Sequence, residues 1–166
     1  MNGSRRINGT QHVNGTRRTK ALYFVRKSSI HGRGVFAARK IPKGTRVIEY
    51  KGQRVTHKEV DRRYAHVDES DNHTFLFEID DEWVIDAGIS GNAARWINHG
   101  CKPNCETVEE DGRIYVETIR DVQRGEELTY DYNIVLEERH TPRLKQIWAC
   151  LCGARGCRGT ILARKR

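Results

Sequence analysis

The stretch Arg95-Trp96-Ile97-Asn98-His99-Gly100-Cys101-Lys102-Pro103-Asn104-Cys105 places an Asn-His pair, two cysteines and a Pro-Asn turn within eleven residues. Pro103 fixes its own φ, removes a donor and biases Lys102 toward extended geometry, so the backbone is expected to run here as an ordered loop, neither helix nor ladder. A loop this polar leaves backbone groups unpaired if it is buried. It is therefore expected either to face water or to be held by something bound, and the density of chemically useful side chains favours the second.

The chain around this loop has 166 residues, enough for one domain with a real core. No apolar run approaches the roughly 20 residues that a membrane-spanning helix needs, and the first residues lack the apolar segment of a secretory signal, so a soluble chain is expected. The net charge of +8 is unevenly spread: Met1 to Lys20 carries five basic residues and no acid, Arg143 to Arg166 carries seven and no acid, and all 22 acidic residues lie between. Two basic ends on an acidic body fit a protein kept near nucleic acid or another anionic assembly while its body receives a cationic substrate; solvated tails without a partner fit equally well. Five cysteines, an odd number, argue against a closed disulfide framework. Four of them sharing a metal in a reducing, intracellular location is the better reading.

Residues 1–20 read as a disordered basic arm. Ala21 to Arg26 reads as a first strand, and Ile30 to Ala37 as a glycine turn entering a second, with Gly32 and Gly34 letting backbone approach a ligand. Arg46 to Tyr50 is a third strand. Thr56-His57-Lys58-Glu59 has a capping-box pattern and predicts a short helix to about His66, with Val60 and Tyr64 on one face. Asp68 to His73 is a polar loop. Phe75 to Ile79 with Trp83 to Asp86, and Glu106 to Glu109 with Arg113 to Ile119, predict two hairpins, the second turned at Asp111-Gly112. A short helical segment from Gly91 to Ile97 delivers the central loop, and Glu127 to Tyr132 is the last strand. Many short strands with little helix predict a mostly β fold of several small sheets.

Three thiols in Cys150-Leu151-Cys152 and Cys157 can wrap a tetrahedral ion, with Gly153 and Gly156 easing the turn; the fourth ligand falls to Cys101 or Cys105. Such a site would pin the C-terminal tail against the central loop and close a pocket. Tyr130 and Tyr132, at i and i+2, share one face of a strand, either as an aromatic pair or as two hydroxyls aimed into one pocket. His99 alone is a structural histidine as readily as a ligand, and Trp148 would ordinarily be core.

Taken together, Ile30 to Ala37 (IHGRGVFA), Ile48 to Gly52 (IEYKG), Gly91 to Cys105 (GNAARWINHGCKPNC), Gly125 to Asn133 (GEELTYDYN) and Cys150 to Cys157 (CLCGARGC) resemble the SET-domain lysine methyltransferases, and most of all trithorax-type domains with a post-SET cysteine segment. The resemblance runs in family order from about Tyr23 to Gly159. It implies a SET fold with a knot-like C-terminal crossing over residues 21–142 and a post-SET zinc-binding tail over 143–166. It further implies that Gly32, Arg33, Gly34, Phe75, Arg95, Asn98, His99 and Trp148 surround S-adenosylmethionine, with main-chain groups of the central loop on the adenine. Tyr132 would be the catalytic tyrosine, Tyr50 and Tyr130 would line a lysine channel, and Cys101, Cys150, Cys152 and Cys157 would bind zinc, leaving Cys105 free. Phe75 stands where close relatives carry a tyrosine, and Gly100 where they carry a serine.

The implied reaction is methylation of a lysine in a basic protein, a histone or another chromosomal protein, mainly to monomethyllysine, in a nucleus- or nucleoid-associated setting. The lysine must react neutral, which from a pKa of about 10.4 costs roughly 4 to 5 kcal/mol at pH 7. A narrow channel and a neighbouring sulfonium both lower that pKa, while aromatic faces tolerate the cationic product. Asp68, Glu69, Asp71 and Glu78 would draw a basic peptide toward the channel. The alternative is a zinc-stabilised, basic-tailed module that binds nucleic acid or chromatin without catalysis; a third reading is a SET fold that binds without turnover.

Overall fold

The computed structural model describes residues 21–67, 75–136 and 138–164. The basic arm, the polar loop with Asp68, Glu69 and Asp71, and the last two residues of the chain lie outside them. Ten short strands, two short helices and one 3-10 turn form four small sheets. Strand β1 (Tyr23–Lys27) pairs antiparallel with β2 (Arg33–Ala37). Strand β3 (Arg46–Tyr50), β8 (Cys105–Glu110) and β9 (Arg113–Thr118) form a sheet with β9 in the middle. Strand β4 (Gln53–Thr56), β5 (Leu76–Glu78) and β6 (Trp83–Asp86) form another, with β6 in the middle. The fourth sheet joins β7 (Asn98–His99) to β10 (Thr129–Tyr130) in parallel, Thr129 opposite Asn98 and Tyr130 opposite His99.

Local chemistry accounts for most of these elements. In β9 the side chains alternate, Ile114, Val116 and Thr118 facing in and Tyr115 and Glu117 facing out, the period of a half-covered sheet. Four successive residues of β2, Gly34 to Ala37, are buried because the strand is covered on both faces. Helix α1 (His57–Tyr64) is capped by Thr56, whose hydroxyl accepts the Glu59 N–H at 3.3 Å. It buries no residue fully and ends two residues sooner than predicted. It is held by Asp86, a carboxylate with no exposed side-chain surface that accepts from Arg63 at 3.0 Å and from the Tyr64 hydroxyl at 3.2 Å. The sheets meet over Val35, Ile41, Ile48, Ile97, Val116, Val122 and Leu128, each fully or almost fully buried. Each such side chain contributes about 1.5–3 kcal/mol relative to exposure.

Three expectations are corrected. The central stretch is not purely loop, because Asn98 and His99 form a two-residue strand and Cys105 opens β8; the effect of Pro103 is confined to Gly100 to Asn104. Part of its backbone is paired within the fold, since Gly100 donates to the Tyr130 carbonyl at 3.0 Å and Asn104 to the Thr129 carbonyl at 3.3 Å, while Cys101, Asn98 and His99 still face a thiol cluster and a cleft. The last strand is two residues long instead of six, because Glu127 bridges β2 at Phe36 and the chain then passes from one sheet to another. Strand β4 and helix α2 (Pro142–Ile147) were not predicted; the signal for α2 was Thr141 before Pro142, a cap followed by proline at the first helical position. None of the five cysteines is paired in a disulfide. No helix among the described residues is long and apolar enough to cross a membrane.

Candidate active site

The segment from Glu127 to Tyr132 crosses beside residues 97–104, and the Asn104 side chain bonds it there at two points. Asn104, 2 % exposed, accepts the Thr129 N–H at 2.9 Å and donates to the Glu127 carbonyl at 2.8 Å, while its backbone carbonyl accepts the Ile119 N–H at 3.0 Å. This crossing brings the two halves of a cleft together. The cleft has a volume of about 680 Å³, within the range of roughly 300–1,000 Å³ usual for small-ligand sites. Of the residues singled out in the sequence, Gly32, Arg33, Tyr50, Phe75, Arg95, Asn98, His99, Tyr130, Tyr132, Trp148 and Cys150 all line it.

Gly34 does not line it. A side chain there would collide with the Glu127 carboxylate, so this glycine lets β2 approach the crossing, whereas Gly32, at φ 44, has no atom within 4 Å of a Cβ position and leaves the turn open to the cleft. Glu127 had no role assigned from sequence. It accepts two hydrogen bonds from the Ser28 hydroxyl, at 2.7 and 2.9 Å, and one from Asn98 Nδ2 at 2.9 Å. Asn98 Nδ2 also reaches the carbonyls of His31 and Arg33, at 3.2 and 2.9 Å. The Asn98 side chain is thus committed to the glycine turn, and what this residue offers a ligand is its main chain.

Three phenols converge at one end of the cleft. The Tyr130 and Tyr132 rings are 5.0 Å apart, and Tyr50 and Tyr130 both pack on Phe77, at 5.2 and 6.4 Å. The Tyr132 hydroxyl donates to the Ile97 carbonyl at 2.8 Å and the Tyr50 hydroxyl to the Phe75 carbonyl at 3.2 Å. A phenol whose hydrogen is directed at a backbone carbonyl keeps its oxygen lone pairs for a cation or a polarised methyl group. Burial pushes the pKa of all three phenols above the ordinary tyrosine value, so none ionises to serve as a base near neutral pH.

Arg95, also on the cleft wall, lies over the Trp96 ring at 4.7 Å and the Phe75 ring at 5.6 Å, and donates to the Ala87 carbonyl at 3.1 Å. Its Nε is buried and has no partner among the described residues. Phe75 meets Trp96 edge-on at 5.0 Å, so the position lacking a hydroxyl is packed with aromatic surface. An arginine, aromatic rings and phenols lining one cleft fit a ligand that carries a carboxylate, a planar ring and a positive charge.

Cys101, Cys150, Cys152 and Cys157 bring their sulfurs within 4.8 Å of one another, so the fourth thiol of a cluster that could hold a metal is Cys101 and not Cys105. Cys101 Sγ lies 3.6 Å from Cys150 Sγ and 3.7 Å from Cys157 Sγ. Zinc–sulfur bonds of about 2.3 Å at tetrahedral angles give sulfur separations of roughly 3.8 Å, so the set fits zinc. The backbone N–H groups of Cys152, Arg158 and Gly159 donate to Cys150, Cys101 and Cys157 sulfurs at 3.4, 3.4 and 3.3 Å, as thiolates require. Burial raises the pKa of Cys150 and Cys101; for Cys152 burial is outweighed by hydrogen bonds from the Cys101 and Ala154 backbone and from neighbouring thiols, which hold it at about 7. Thiols so unevenly poised become four thiolates together only around a cation. Cys105 is buried in the core, its thiol pushed up to about 12 by burial.

The SET-domain profile matches residues 32–133, more than half of the chain. This chain belongs to the SET-domain family. The SET domain and tail are 39% identical over 136 residues to histone-lysine N-methyltransferase trithorax of Drosophila virilis, covering 80% of this chain and 3% of that protein. Identity to human histone-lysine N-methyltransferase 2B is 41% over 138 residues, covering 81% and 5%. The chain therefore spans only a small fraction of these relatives. Among solved structures, the SET domain resembles one described as ctPRC2 in an autoinhibited conformation bound to S-adenosylmethionine, at 34% identity and a TM-score of 0.62, covering 68% of this chain and 15% of that one.

Proposed function

We propose that this SET domain transfers a methyl group from S-adenosylmethionine to a lysine of a basic protein, with a histone as the first substrate to test, and that monomethyllysine is the main product. The observation that carries the reading is the convergence of Tyr50, Tyr130 and Tyr132 in a single cleft also lined by Arg95, Phe75 and Trp96. The relatives named as histone-lysine methyltransferases supply the substrate class.

Arg95 Nε is the group assigned to the cofactor's carboxylate, the Gly32-Arg33 turn and the main chain at Asn98 and His99 to its adenosine end, and Trp148 to the wall above it. When bound, the cofactor supplies a methyl on a sulfonium. The protein's own part is to hold a neutral amine in line with it. Tyr132, as the catalytic residue, orients the amine and the methyl through its hydroxyl oxygen, and the phenol faces of Tyr50 and Tyr130 line the channel. The proton lost from the lysine goes to water, since the nearest carboxylate on this strand, Asp131, is engaged by both terminal nitrogens of Arg158 at 2.6 and 2.8 Å. Residues 143–166 serve as the zinc-held closure, with Trp148 and Cys150 on the cleft wall.

Calorimetric titration with S-adenosylmethionine, followed by incubation with core histones and mass spectrometry of the products, tests this. Binding together with a lysine mass gain of one methyl is the expected result. Failure to bind the cofactor would leave the non-catalytic binding module as the better reading.

A further inference from the structure

On the face of the tail away from the tyrosines lies a second concavity of about 440 Å³, lined by Arg139, His140, Lys145, Arg158, Thr160 and Arg164 with two apolar neighbours and no acidic residue. We propose that it is a phosphate-binding site that seats the sugar-phosphate backbone of a duplex nucleic acid.

The arrangement is built, not merely charged. The parallel bridge of Leu162 with Ile134 and the antiparallel bridge of Thr160 with Ala149 fix its floor. The Thr160 hydroxyl donates to the Trp148 carbonyl at 2.8 Å and accepts the Leu162 N–H at 3.2 Å. Arg158 pairs with Asp131, while Arg139, Lys145 and Arg164 have no salt bridge among the described residues, so three further cations line one hollow. Two buried nitrogens in its lining residues, His140 Nε2 and Arg158 Nε, lack hydrogen-bond partners. Buried nitrogens without partners are uncommon in folded proteins; Arg158 Nε is a donor that an anion's oxygen would satisfy, as it would His140 Nε2 in the tautomer that carries its proton there.

The charge of the surrounding chain selects the occupant. Residues 143–166 contain seven basic residues and no acid, so the field extends beyond one anion and suits a polymer of phosphates. The lining has no tyrosine, tryptophan or phenylalanine on which a base could stack, which favours backbone contact to a duplex over recognition of single strands. Binding is therefore independent of sequence and salt-dependent. The site shares Arg158, through Asp131, with the strand that carries Tyr132, so a substrate held on nucleic acid would lie close to the catalytic cleft.

The test uses the full chain and a short fluorescent DNA duplex, with anisotropy read across a salt series. Each phosphate contact contributes a slope of about −0.9 in log affinity against log salt. The combined Arg139→Ala, Lys145→Ala and Arg164→Ala variant is expected to bind at least tenfold more weakly at ~0.1 M salt and to lose a slope of about 2 to 3. Arg39→Ala, Lys43→Ala and Lys27→Ala together remove the same charge from exposed positions elsewhere and are expected to change affinity far less. Equal loss in both variants, or an unchanged slope in the first, would overturn the site. Inorganic phosphate that binds the unaltered chain, in calorimetry, while the duplex does not bind at ~0.1 M salt would overturn the nucleic-acid occupant in favour of a free phosphate. Cofactor titration of the same variant separates this outcome from any failure of the methyltransferase reading.

Discussion

The backbone N–H of Tyr132 donates to Nδ1 of His99 at 3.1 Å. Burial holds the His99 ring neutral, with a pKa down to about 4, so its single proton sits on Nε2, which lies 3.4 Å from Cys101 Sγ. Asp131 Oδ1 is also 3.4 Å from Nδ1, but that carboxylate is already held by Arg158. One imidazole therefore joins the catalytic strand to the thiol cluster. His99→Ala is expected to weaken zinc binding by 10- to 100-fold, as loss of an outer hydrogen bond to a ligand does, and to weaken cofactor binding as well. Competition with a chromophoric chelator and calorimetry check the two effects; unchanged zinc affinity in a folded variant would remove the link.

Zinc itself is expected at one ion per chain, held by Cys101, Cys150, Cys152 and Cys157. Chelation is expected to lower the melting temperature and to weaken cofactor binding together, because Cys150 and Trp148 share the cleft wall. Metal analysis of a Cys152→Ser variant checks the ligand set, and full metal content there would exclude it.

Tyr132→Phe removes one hydroxyl and leaves the Ile97 carbonyl without its donor. A stability loss of about 1 kcal/mol and a fall in turnover of at least a hundredfold are expected, with cofactor affinity nearly unchanged. Single-turnover rates and thermal melts check both. Wild-type turnover would move the catalytic role elsewhere.

The rate should follow the substrate's proton and not the protein's. Because the phenols of Tyr50, Tyr130 and Tyr132 are all raised above the ordinary value, they stay protonated well past pH 9 and lose no function there. A lysine of pKa about 10.4 gains neutral form tenfold per pH unit below that value. The slope of log kcat/KM against pH is expected to be near one from pH 7 to 9 with a fixed peptide; a plateau near pH 8 would reveal a titrating group on the protein.

Product multiplicity rests on Tyr130, which is 7 % exposed and packed against Tyr132 and Phe77. A methylated amine must turn its methyl aside to react again, and in the proposed reading the Tyr130 hydroxyl would limit the space for that turn. Tyr130→Phe is expected to shift the product several-fold from monomethyllysine toward di- and trimethyllysine. Mass spectrometry of a peptide driven to completion decides, and mainly trimethylated product from the unaltered protein would show that Tyr130 is not the gate.

Local signals made much of this legible. Thr56 before the helix, Asp111-Gly112 in the hairpin and the alternation of Arg113 to Thr118 each follow from short-range rules, and each element lies where those rules put it. The approach of Cys101 to the tail left two candidates open on spacing, and only the fold distinguishes Cys101 from the buried Cys105. The contacts that had no short-range signal are those spanning many residues: Ser28 to Glu127 across 99 positions and Asn98 to Glu127 across 29. Glu127 sits in a quoted motif, yet nothing in Glu-Glu-Leu-Thr indicates that its carboxylate anchors the turn at Gly32 to Gly34. Asn104 is similar, since an Asn after proline reads as a turn residue and not as a fully buried stitch.

That stitch orders events in synthesis. As the chain leaves the ribosome, residues 21–119 can pair into three of the four sheets without help from later residues, but β7 has no partner until Thr129 and Tyr130 emerge, and Asn104 has nothing to clasp. The cleft appears only when the segment through Tyr132 has passed beside the central stretch, and its far wall waits for Trp148 and Cys157. A nascent chain stalled anywhere before that point has neither the complete cleft nor the four-thiol cluster, so whatever these two sites bind can be taken up only after Cys157 has emerged.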